Sequence, residues 1–303
     1  MTVGTAATTP ASTVRMMVLA RRAVRTLLGS RAACVGLTIF FLYVLSSLFA
    51  PLIAPHDPSL QNPGLDLHGP SAQFWLGNDQ FGRDILSRVI YAGRESLYVG
   101  VVGVAFGALI GATLGVLAGY FGSYLDAVLM RVVDLGLGFP AIIIGVVVVA
   151  IRGPGATNLA IAIALYNVPI FIRILRSVTV DVKSRAFVEV AAATGVGDGD
   201  IIRRHIVPNV LPTLLIQAGI AMPTAIILEA GLSYLGLGAR PPTPSLGGML
   251  SDARAYLGVT PWFAIAPGVS LSILVVALNL LVDGLRDMLD PRQNAARRES
   301  EEV

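Results

Sequence analysis

Residues 96 to 118 read SLYVGVVGVAFGALIGATLGVLA, a run with no charged side chain. As a helix it is long enough to cross the roughly 30 Å hydrocarbon core of a bilayer, which takes about 17 to 25 residues. Five further uncharged windows lie on either side of it, at 32 to 54, 135 to 151, 153 to 172, 205 to 228 and 255 to 282. Charged residues make up 14% of the chain and hydrophobic ones 54%, against roughly one quarter charged in soluble domains. A soluble helical protein with six such windows would have too little polar face left to solvate it. The expected fold class is an all-α integral membrane protein with six transmembrane helices.

The net charge of +3 does not signal nucleic acid, because the basic residues sit in short segments between the apolar windows. They behave as topology signals. With the N-terminus in the cytoplasm, 16 of the 22 Lys and Arg side chains fall inside, the bias expected of a six-helix protein with both termini cytoplasmic. The chain then divides into a basic interfacial segment (1–31), a first transmembrane helix (32–54), an extracytoplasmic segment (55–95), a core with five transmembrane helices (96–284) and a cytoplasmic tail (285–303). The Arg-rich start resembles a signal peptide, but the apolar run after it is too long for cleavage, and Pro51 follows the only small-residue site. Cys34 is the single cysteine and has no second thiol in the chain to form a disulfide or a cysteine-based metal cluster.

Along the opening run and one residue past it, Gly103, Gly107, Gly111, Gly115 and Gly119 recur every fourth residue, a stripe about 24 Å long as helix. In lipid such a small-residue face lets another helix approach closely. Each of the last four windows contains a proline, Pro140, Pro169, Pro223 and Pro267 among them, and bent helices of this kind are tolerated where neighbours or water satisfy the freed carbonyls. Ahead of the opening run, PHDPSLQNPGLDLHGP is loop, and WLGNDQFGRDILSRVIYAGRESL predicts a short interfacial helix. Arg83 with Asp84, and Arg94 with Glu95, form either a solvated face or a support for the external region.

Between the fourth and fifth windows, residues 178 to 209 are too polar to span and too patterned for a linker. AFVEVAAAT predicts a short helix that ends at Gly195, and DGDIIRRHI a second helix closed by Pro208. Small residues such as Ala191 beside Glu189 make a knob able to enter a groove, with a carboxylate to meet a partner's arginine. A plain turn joining two helices fits the same residues.

The spacing of Glu189, Ala191, Gly195 and Pro208 resembles the EAA loop of binding-protein-dependent ABC importer permeases, in which EAA is followed by three residues, G, nine residues, I, one residue and LP. Val190, His205 and Val207 depart from that pattern. RRHIVPN, which contains His205, Pro208 and Asn209, is nevertheless similar to the form of the dipeptide, oligopeptide and nickel branch. LGNDQFGRDILSRVIYAGRESL (76–97), GYFGSYLDAVLMRVVDLGLGFP (119–140), EAGLSYLGLGARPPTPSLGGML (229–250) and NLLVDGLRDMLDPR (279–292) resemble the C-type member of the permease pair.

The resemblance implies a type I ABC importer permease fold in a prokaryotic inner membrane. It also implies a B-type permease partner, two ATP-binding subunits or domains holding ATP and Mg, and an extracytoplasmic solute-binding protein. The cargo it implies is a di- or oligopeptide, with nickel, haem or glutathione-type solutes as alternatives. Carried over, Glu189 would meet the ATPase, Gly195 would shape the turn, and His205 with Pro208 would fix the second helix to the fifth span. A structural role for His205 stays open beside this.

Lys183 is the only lysine, and no glycine-rich phosphate loop precedes it, so ATP hydrolysis must come from another subunit. No cofactor or metal is expected in this chain, and its three histidines lie in separate segments. An ion-coupled secondary transporter would want ionisable residues near mid-membrane. The candidates are Asp134, one turn from Arg131, and Glu229, which are also suited to structural pairs. Asn167, Gln217, Thr224, Ser270 and Asn279 are the polar residues able to line a pathway.

Overall fold

The computed structural model describes residues 31–289. The basic N-terminal segment and most of the C-terminal tail lie outside the described residues. The first window forms α1 (Arg31–Leu48) and, after a break at Phe49, the single turn α2 (Ala50–Ile53). Pro51 sits in the first turn of α2, where its missing N–H would be unpaired in any case.

The opening run lies in α3 (Ile85–Phe121), a 37-residue helix about 55 Å long. Asp84 caps its start, its carboxylate accepting from the backbone N–H of Ser87 at 3.0 Å. The separate interfacial helix expected before residue 96 does not form, because those residues are the first turns of α3. No proline interrupts them, and Arg88 turns inward to Asp79 at 3.2 Å instead of ending the helix in water.

The window at 135–151 is likewise not one helix. It is divided between α4 (Ser123–Leu137) and α5 (Ala141–Arg152), which meet at a 92° bend. Pro140 stands as the N-cap of α5 in extended geometry, φ −58° and ψ 136°, since its ring blocks continuation from α4. α6 (Ala156–Lys183) runs through Pro169 and leads to the short α7 (Ala186–Ala193).

A second 37-residue helix follows, built of α8 (Asp198–Ile201), a π turn (Ile202–Ile206) and α9 (Val207–Tyr234). The described residues end with α10 (Leu246–Ala253) and α11 (Trp262–Leu289). Among the described residues five helices are long and apolar enough to cross a membrane, and the bent α4–α5 pair makes six if counted as one span.

The core is a seam between α3 and α6. A Cβ added at Gly107 would lie 2.8 Å from Asn167 Cβ, at Gly111 2.5 Å from Phe171 Cβ, and at Gly119 2.7 Å from the carbonyl of Arg176. Gly103 and Gly115 face Ile163 and Ile172 in the same way. These approaches exclude any side chain at the contact and let the two backbones touch along the stripe. Phe171, Leu175, Leu159 and Ile163 fill the same cluster, which continues into Val188, Ala191, Ile201 and Ile206. The loop side of the molecule is therefore packed as one body with the membrane helices.

Candidate coupling site

α7 begins after Arg185, whose guanidinium pairs with Asp181 at 2.8 Å on the last turn of α6. Val188 and Ala191, three residues apart, face the core at 3% and 9% exposure. Glu189 and Val190 point away from it, and Val190 is 61% exposed. Glu189 lies in the first turn, where the helix dipole favours a carboxylate.

The helix stops in a Schellman turn: Gly195 N–H donates to Ala192 O at 3.1 Å and Val196 N–H to Ala191 O at 3.2 Å. Gly195 takes φ +82°, a left-handed conformation open to glycine at little steric penalty. The exposed face of α7 is thus a short apolar knob with one carboxylate, mounted on a fixed turn.

The segment after Gly195 differs from the expected second helix closed by Pro208. Asp198 starts a helix that passes without interruption into α9, and Pro208 lies inside it. The π turn accounts for this: Val207 N–H bonds Ile202 O, five residues back. That wider turn eases the clash a proline makes with the carbonyl four residues before it. Asn209 Nδ2 donates to His205 O at 2.6 Å, and the His205 ring lies 6.1 Å from the Phe187 ring. His205 thereby leans the long helix on α7.

Sequence reasoning singled out neither Tyr120 nor Asp198, which the fold brings together. Tyr120 Oη donates to Asp198 Oδ1 at 2.7 Å, and Lys183 Nζ donates to Tyr120 O at 2.6 Å. The only signal in the sequence is the aromatic at the end of a spanning run, a common interfacial position.

The polar residues considered for a pathway are spread over three helices, and no hydrogen bond joins any two of them among the described residues. Asn167 is 3% exposed in the α3–α6 seam and donates to Ile163 O at 2.9 Å. Ser270 meets the Tyr43 hydroxyl at 3.0 Å. Gln217 is half-buried, and Thr224 and Asn279 are exposed. Asp134 pairs with Arg173 of α6 and not with its neighbour Arg131. Glu229 is 1% exposed and accepts from Ser96 Oγ at 2.8 Å and Ser233 Oγ at 2.7 Å. Among the described residues no three His, Cys, Asp or Glu side chains gather as they would around a metal ion.

Residues 111–295, which contain the loop just described, match the family model of the binding-protein-dependent transport system inner membrane component. The chain belongs to this permease family. Residues 19–70 also match the N-terminal transmembrane domain of oligopeptide transport permease C, which makes this permease the C-type member of an ABC importer pair. It is similar to the dipeptide transport system permease protein DppC of Alkalihalophilus pseudofirmus, with 42% identity over 91% of this chain and 90% of the relative. The glutathione transport system permease protein GsiD of Escherichia coli is 42% identical over 83% of each chain. Among solved structures, a permease chain of the MetNI methionine ABC transporter superposes with a TM-score of 0.57 at 21% identity, covering 68% of this permease and 98% of that chain. That likeness concerns the fold. The permease is a multi-pass inner membrane protein.

Proposed function

We propose that this permease forms half of the pathway of an ATP-driven importer of short peptides and receives the power stroke through α7. The pathway is completed by a B-type permease. Two cytoplasmic ATP-binding subunits supply hydrolysis, and an extracytoplasmic binding protein delivers the cargo. The chain itself has no catalytic role and holds no cofactor. The observation that carries the proposal is the two-sided α7: Val188 and Ala191 are buried in the hydrophobic core of the protein while Glu189 and Val190 stand exposed. A knob that is rigid at its root and open at its tip is what a docking groove on an ATPase requires, with the carboxylate free to meet an arginine.

Peptide cargo is supported by the names of the two relatives, one a dipeptide and the other a glutathione permease. Glutathione is itself a short peptide, so the second reading differs only in cargo. Competition between dipeptides and glutathione for the cognate binding protein separates the two.

The coupling proposal is tested on the complete transporter in proteoliposomes. Glu189→Lys and Gly195→Leu are expected to insert normally and to abolish ATP-driven uptake. Uptake at the unmodified rate in both variants would overturn the assignment.

A further inference from the structure

Tyr120 is the last residue but one of α3, and it is buried at 6% exposure. Its phenol reaches Asp198, the first residue of α8, while its carbonyl and ring hold Lys183, the last residue of α6. Lys183 Nζ lies 5.1 Å from the centroid of the Tyr120 ring, within the range of a cation–π contact. A single residue of α3 therefore grips the chain immediately before and shortly after the segment that carries α7.

The grip is stiff on both sides. On the loop side, the Schellman turn at Gly195 and the inward Val188 and Ala191 leave α7 little freedom to move apart from its roots. On the membrane side, Gly115 and Gly119 press α3 so closely on α6 that added Cβ atoms would lie 2.7 Å from the carbonyls of Ile172 and Arg176. A phenol donating to a carboxylate makes a charge-assisted bond, and its buried ring cannot swing to accommodate a shift of Asp198.

We infer that Tyr120 is a positioning residue for energy coupling, which passes displacement of α7 through Asp198 and Lys183 to the packed α3–α6 pair. This rests on the assignment of α7 as the ATPase-docking element. A tie needed only for packing would depend on the ring and would be indifferent to the hydroxyl.

The test uses the assembled transporter in proteoliposomes, with uptake and ATP hydrolysis measured in the same vesicles. Tyr120→Phe keeps the ring and removes the one donor. It is expected to assemble in normal amounts and to lower uptake per ATP roughly ten- to a hundredfold, the range for loss of one hydrogen bond to a charged group. Asp198→Ala should match it, the double variant should be no worse than either single one, and Asp198→Asn, which keeps an acceptor, should lose less. An unchanged ratio in both Tyr120→Phe and Asp198→Ala would overturn the inference, as would uptake and hydrolysis falling in parallel with the amount of complex. Glu189→Lys in the same preparation separates the two levels. If it leaves uptake intact, the docking assignment fails; if it blocks uptake while Tyr120→Phe keeps its ratio, only the role of Tyr120 fails.

Discussion

Glu229 illustrates how one side chain is accommodated where charge is expensive. It lies in α9, buried, with each carboxylate oxygen satisfied by a serine hydroxyl, one from α3 and one from its own helix a turn later. Hydrogen bonds between membrane helices contribute about 0.6 to 2 kcal/mol each. Glu229→Ala removes both acceptors and is expected to destabilise the complex by roughly 1 to 3 kcal/mol. Glu229→Gln, which keeps the shape and one carbonyl oxygen, should lose less than half of that. Thermal unfolding of the detergent-solubilised complex checks both values, and equal losses would show that the hydrogen bonds are not the cause. The sequence placed Glu229 at the outer end of the fifth span but could not name its partner Ser96, which is 133 residues away.

Elements differ in how much of their geometry is local. Gly195 and Gly111 make the contrast. At Gly195 nothing stands within 4 Å of an added Cβ, and the demand is purely one of backbone conformation, φ +82°. At Gly111 the backbone is ordinary helix, and the demand is space, with Phe171 Cβ 2.5 Å from an added Cβ. Gly195→Ala should therefore cost about 1 to 2 kcal/mol of local strain. Gly111→Leu should force α3 and α6 apart and prevent assembly, as judged by the amount of complex recovered from membranes. Recovery of normal amounts of the Gly111→Leu complex would refute the seam. Prolines divide in the same way: Pro140 stands between two helices as the N-cap of α5, whereas Pro169 and Pro208 lie within helices. The residue type is identical in all three, and the surrounding backbone, such as the π turn before Pro208, decides the outcome.

At the scale of the molecule, α4 is fastened to α6 by two ion pairs. Arg176 binds Asp126 through two hydrogen bonds of 2.7 and 2.5 Å, and Arg173 binds Asp134. The bidentate Arg176 pair is the less exposed of the two and is the one expected to matter, at about 1 to 2 kcal/mol. Arg176→Asp alone should lower both complex stability and transport, and Asp126→Arg together with Arg176→Asp should restore part of each; no rescue would mean that the pair does not hold α4. The membrane class, the candidate spans, the glycine face and the turn at Gly195 were all legible in the residues, because hydropathy, run length and glycine backbone freedom act over a few neighbouring positions. Tertiary packing alone decided that Asp134 pairs with Arg173 across 39 residues and not with nearby Arg131. It also decided that Tyr120 meets Asp198 across 78 residues. Those outcomes depend on how each helix is rotated and how closely it sits on its neighbours, quantities set by the packing of the whole bundle and carried by no local stretch of sequence.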